Sequence, residues 1–147
     1  MSSTVIIHSP LAGFNVIEYE SGKGEKELKT YTRDQINFLI DEAMEYIPKT
    51  VEKYAKIIGV DYGRITIRAQ KTRWGSCSAK RNLNFNCLLM LLREELRDYV
   101  IIHELCHIKE MNHSPAFWQE VEKYCPDHKS LRKELREDAK ELIPRLP

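Results

Sequence analysis

A chain of 147 residues is long enough to bury a core without staples, and 42% hydrophobic with 31% charged residues is ordinary for a globular protein. The 23 lysines and arginines nearly balance 22 aspartates and glutamates, and a net charge of +1 argues against a domain-wide surface for nucleic acid. No run is apolar enough for a membrane span, and Val5-Ile6-Ile7 is too short for a signal-peptide core, so the expectation is a soluble cytoplasmic protein with no membrane partner.

From residue 15 to residue 31, two short apolar segments flank Ser21-Gly22-Lys23-Gly24, which predicts a hairpin. Thr32 with Gln35 three residues on makes a capping box. Ile36, Leu39, Ile40, Ala43, Met44 and Ile47 then recur at helical spacing. Pro48 has no amide proton and crowds the preceding turn, so it is expected to kink or interrupt that helix. Val51, Tyr54, Ala55 and Ile58 resume the stripe, and Gly59 is the expected stop.

Past Gly59 the period changes. Ile65 and Ile67 alternate with polar neighbours, and Trp74, Leu83 and Phe85 follow, which predicts two or three strands turned around Ala79-Lys80-Arg81. Trp74-Gly75 in a strand region signals a bulge or a close backbone approach. A helix is expected over residues 94–111, with Glu94 and Glu95 at the positive end of its dipole. Ser114-Pro115 opens another, by cap and first-turn proline. Asp127 is placed to cap a last helix, with Leu131, Leu135 and Leu142 facing inward and His128 at the surface. Helices at both ends with strands between them give an α+β domain over residues 1–147: a short β-like segment to residue 31, then the core from 32. Cys77, Cys87, Cys106 and Cys125 stand singly with no C-x-x-C pair, which fits free thiols and not a cysteine zinc site.

His103-Glu104-Leu105-Cys106-His107 reads H-E-x-x-H. Helix positions four apart share a face, so His103 and His107 can hold one metal ion, with Glu104 on the flank near a metal-bound water. The apolar run Tyr99-Val100-Ile101-Ile102 before the motif implies a buried helix, where such polar groups are costly without a metal or hydrogen bonds. Catalytic zinc takes three protein ligands and keeps a fourth position open. His113 supplies the third once the chain turns back. Asn112 is the residue best suited to a left-handed exit turn, and Ser114-Pro115 would hold His113 at the junction.

These residues resemble the YgjP-like zinc metallopeptidases, relatives of the SprT-like and WLM groups. The resemblance rests on Arg73-Trp74-Gly75-Ser76-Cys77-Ser78, Leu83-Asn84-Phe85-Asn86, the segment from Asp98 to His107, and Asn112-His113-Ser114-Pro115-Ala116-Phe117-Trp118. It implies a zincin-like fold, with the H-E-x-x-H helix packed on a small, mostly antiparallel sheet whose edge strand lines the cleft. It likewise assigns one Zn2+ to His103, His107 and His113, and catalysis to Glu104. The segment before Thr32 is shorter than the β-rich start of that family, which would leave the cleft differently bounded.

The implied reaction is peptide hydrolysis by Glu104-assisted attack of a zinc-bound water. Arg73 is the candidate for stabilising the oxyanion, since the resemblance puts its segment near the cleft. A peptide or protein substrate would pair with the edge strand at residues 74–78. The rivals are a DNA-associated SprT-like protease, which the net charge does not favour, a zinc hydrolase of a non-peptide amide, and a non-catalytic zinc-binding interaction module.

Overall fold

The computed structural model describes residues 30–147 in full and, before them, the backbone of three strands. β1 (Thr4–His8), β2 (Asn15–Glu20) and β3 (Lys26–Glu27) form an antiparallel sheet in the order β1-β2-β3. The expected hairpin is the β2–β3 pair, joined through Tyr19↔Glu27, and its turn at Ser21-Gly22-Lys23-Gly24 lies outside the described residues. β1 contains Val5-Ile6-Ile7, inside the segment to residue 31 expected to be β-like.

The longest element is α1 (Arg33–Ile58). Its start is the reciprocal cap of Thr32 and Gln35, in which Thr32 Oγ1 accepts from the Gln35 amide at 3.1 Å and Gln35 Oε1 from the Thr32 amide at 2.9 Å. Its stop is Gly59, left-handed at φ 81°. Leu39, Ala43, Ile47, Val51, Ala55 and Ile58 form the buried face. Two expectations change here. Met44 lies on the outer face, 61% exposed. Pro48 does not interrupt the helix, because buried residues on both sides of it, Ile47 and Val51, hold one continuous stripe against the core.

The second sheet consists of β4 (Ile65–Arg68), β5 (Gly75–Cys77) and β6 (Leu83–Asn86) in the order β4-β6-β5. It is mixed: β6 is parallel to β4 and antiparallel to β5. Leu83 and Phe85 of the central strand are wholly buried. The β5–β6 turn falls around residues 79–81 as expected, with Arg81 taking a positive φ of 65° and its amide donating to the Ser78 carbonyl at 2.9 Å. β5 forms one edge of this sheet.

After a short 3-10 turn come α2 (Glu94–Lys109), α3 (Pro115–Tyr124) and α4 (His128–Leu142). α1 and α2 pack together and share a polar clasp: the Tyr46 and Tyr54 hydroxyls donate to the two Asp98 oxygens at 2.6 and 2.8 Å. Ser114 caps α3, accepting from the Phe117 amide at 3.4 Å. Asp127 occupies the cap position of α4 without a side-chain cap bond. His128 is buried, not at the surface, because its ring stacks on Trp118 with centroids 5.3 Å apart. The result is α+β, with the core between α1, the β4–β6 sheet and α2. No described helix is long and apolar enough to cross a membrane.

Candidate active site

α2 carries two of the three imidazoles one helical turn apart, and His113 comes back to them from the α2–α3 connection. The Nε2 atoms of His103 and His107 are 3.2 Å apart, those of His107 and His113 are 3.1 Å apart, and those of His113 and His103 are 3.3 Å apart. Three nitrogens each about 2.0–2.1 Å from one tetrahedral ion would stand about 3.3 Å from one another. The triangle therefore fits zinc.

The tautomer of His107 strengthens that fit. Its Nδ1–H donates to the Glu110 carbonyl at 3.1 Å, and a carbonyl can only accept, so Nε2 presents a lone pair to the other two rings. Nδ1 of His103 lies 3.4 Å from the Tyr99 hydroxyl. With no cation present, burial followed by the charges of the neighbouring His107, His113 and Arg132 pushes the His103 imidazole down to about 3. His107 is lowered as well, chiefly by burial. Both shifts favour the neutral ring, the form a metal needs.

The exit from α2 is not left-handed at Asn112, since Arg81 and Gly59 are the described residues with positive φ. Glu110 instead turns extended, at φ −134° and ψ 101°, and its amide still donates to the Cys106 carbonyl at 3.0 Å. That turn aims its own carbonyl at His107. α3 then backs the centre with aromatic rings. Phe117, fully buried, stacks on His107 at 4.3 Å, and Trp118 stacks on His113 at 5.8 Å.

Glu104 is 5% exposed and faces β5. The close backbone approach expected at Gly75 is found here. A Cβ on Gly75 would sit 3.2 Å from Glu104 Cγ and 3.1 Å from the Asn84 carbonyl oxygen, so glycine is what lets the strand run against the carboxylate. Without a cation, burial raises the Glu104 carboxyl to about 8, and the charge of Arg73 opposes the rise. Arg73 is exposed at the cleft rim, in a loop secured by Asn86, whose buried Nδ2 donates to the carbonyls of Gln70 and Arg73 at 2.8 and 3.1 Å.

Two hollows meet at this carboxylate. One, of about 400 Å3, is bordered by the three imidazoles together with Arg73, Cys77 and Met111. The other, of about 220 Å3, is bordered by Trp74, Tyr99, Arg132, Leu135 and Arg136. Gly75, His103 and Glu104 border both. All five residues expected from sequence, His103, Glu104, His107, His113 and Arg73, thus border one cleft. Sequence reasoning missed the α4 wall, because Arg132 and Arg136 look like any solvated helix face, and it gave Asn86 no role.

An α+β fold carrying this centre defines a metallopeptidase of zincin-like architecture. The chain belongs to the YgjP-like family, whose metallopeptidase domain matches residues 11–138. Among solved structures it is similar to the metallopeptidase zymogen abylysin of Pyrococcus abyssi. Identity is 28% and the TM-score 0.59, over 65% of this chain and 96% of that one. It is also similar to the metallopeptidase zymogen jannalysin of Methanocaldococcus jannaschii, at 25% identity and a TM-score of 0.56, over 63% of this chain and 95% of that one. A comparison with curated proteins gives no match.

Proposed function

We propose that the chain is a zinc-dependent peptidase in which His103, His107 and His113 hold one zinc ion and Glu104 is the general base. One observation carries the reading: three Nε2 atoms 3.1–3.3 Å apart, with the buried Glu104 carboxylate on the adjoining helical position. Zinc held there would bring the pKa of water near neutrality and polarise the substrate carbonyl. Glu104 takes a proton from the attacking water and returns it to the leaving amine. Arg73, whose charge already acts on Glu104, faces the oxyanion that develops on the carbonyl. The outer side of β5 receives the peptide by main-chain pairing, which aligns its carbonyls along the cleft. The four cysteines are free thiols, in keeping with a cytoplasmic setting.

The test is zinc content measured together with a peptide-cleavage screen, wild type against Glu104→Gln. Both proteins are expected to hold one zinc per chain, with hydrolysis lower in the variant by about 1000-fold. Undiminished hydrolysis would remove Glu104 from the role of base. Full zinc with no turnover in either protein is the behaviour of an interaction module. Cleavage that is stimulated by DNA and lost with salt would instead mark a DNA-associated protease.

A further inference from the structure

The smaller hollow has a wall that catalysis by Glu104 does not use. α4 buries Leu131 and Leu135, and Arg132 and Arg136, four residues apart, lie one above the other alongside them. Both arginines are exposed and both border the hollow, whose apolar lining includes Trp74, Val100 and Leu135. Like charges at this spacing repel, yet neither guanidinium has an ion-pair partner among the described residues. Glu134 on the same helix shows the contrast, since both its oxygens accept from Arg93, at 3.0 and 2.7 Å.

Arg132 is also held in place. Its guanidinium carbon lies 4.4 Å from the centre of the Trp118 ring, and Trp118 itself stacks on His113 and His128. Among the described residues Glu104 is the one carboxylate bordering the hollow, and the proposed mechanism already employs it.

We infer that this hollow recognises a substrate carboxylate beside the scissile bond, gripped by Arg132 and Arg136 while Trp74, Val100 and Leu135 cover the aliphatic stem. The inference rests on the peptidase reading and adds a substrate class to it. The carboxylate is that of an acidic side chain or that of a chain terminus, and the two call for the same charge-assisted hydrogen bonds.

The experiment uses the zinc-loaded full chain. Peptides of one sequence carry Glu, Gln or Leu at each position flanking the cleaved bond. A second set ends one residue beyond that bond, with a free or an amidated terminus. At one position kcat/KM is expected to be about tenfold higher for Glu than for Gln, or for the free end than for the amide. Arg132→Gln with Arg136→Gln brings the ratio close to one. Arg136→Gln alone, which leaves the Trp118 contact in place, removes part of it. Equal rates for Glu and Gln at every position and for both kinds of terminus overturn the inference, as does a ratio that survives in the double variant.

The same peptides are titrated onto Glu104→Gln protein and read by tryptophan fluorescence, so recognition is scored even where nothing is cleaved. Carboxylate-selective binding that depends on the arginines, without turnover in wild type, sinks the peptidase reading alone. Turnover without charge preference sinks the carboxylate site alone. Binding without preference and without turnover sinks both.

Discussion

α1 and α2 lie side by side and obey opposite rules. α1 spans 26 residues and divides its surface, with six residues buried along one face and Met44 and Ile57 exposed on the other. Its ion pairs Glu45–Lys49 and Glu52–Lys56 are solvent-exposed and stabilise it little. α2 spans 16 residues, nine of them buried, and these include Glu104 and His107 as well as Ile101 and Leu105. A helix buried on most sides has no stripe, so a polar group on it must be answered inside the protein. In α2 the answers are the Glu110 carbonyl for His107 and the Tyr99 hydroxyl near His103. Where amphipathic order holds, as in α1, the helix is scaffold. Where it fails, as in α2, buried polar groups mark the residues to which the proposed function assigns the chemistry.

The largest expected effect falls on the centre that α2 presents. His113→Ala takes away one of the three proposed donors and should weaken zinc binding on the order of 1000-fold, read by competition against a chromophoric chelator. Zinc affinity within a few-fold of wild type would take His113 out of the ligand set. Packing comes next. Leu105→Ala in α2 is expected to cost about 3 kcal/mol in denaturant unfolding, whereas Ile57→Ala on the outer face of α1 should stay within about 0.5 kcal/mol. Similar losses from the two would erase the distinction between the helices.

The clasp between them is a smaller term. Asp98→Asn weakens two hydrogen bonds from tyrosine hydroxyls, at a cost of about 1–2 kcal/mol. Burial first, then the bond to Asp98, raises Tyr46 and Tyr54 above the ordinary tyrosine range. Their stabilisation is therefore complete below the unfolded value near 10 and fades at higher pH. In Asp98→Asn the absorbance of tyrosinate should emerge at lower pH than in wild type.

Much of this was legible because the decisive signals are local. The Thr32–Gln35 cap, the α1 stripe, the Gly59 stop and the Ser114-Pro115 start are each written within a few residues. That His103 and His107 would lie together was legible because a four-residue helical spacing is itself geometry, His113 joined them only through the expectation of a third ligand, and Gly75 was legible because a glycine inside a strand has few explanations. What escaped depends on residues distant in sequence. His128 is buried by a stack on Trp118, which no local pattern encodes. Pro48 is carried by the packing on either side of it. Alternation predicts a strand but not its direction, so the parallel pairing of β4 with β6 was out of reach. Asn112 has the right chemistry for a left-handed turn, but the chain leaves α2 at Glu110, where an extended backbone supplies the carbonyl that His107 uses.

The subtlest test of the contrast between the helices is the stability of metal-free protein, because there the Glu104 carboxylate is buried with no cation to answer it. Burial raises its carboxyl from 4.5 to about 8 in the folded chain. A raised folded value means that this group's stabilisation is complete below about 4.5 and is lost as pH climbs towards 8. Glu104→Gln carries no such dependence. Chelator-treated variant and wild type should then differ little in Tm near pH 4.5, with the variant increasingly ahead up to about pH 8 by on the order of 10 °C, level above that. His103, held down to about 3, loses its own stabilisation as pH falls below 6.5, but it does so in both proteins and cancels from the difference. Added zinc should shrink the gap, since a nearby cation favours the carboxylate. A gap that does not vary with pH would mean that the Glu104 carboxylate meets water in solution, and that α2 is no more buried at this position than the outer face of α1.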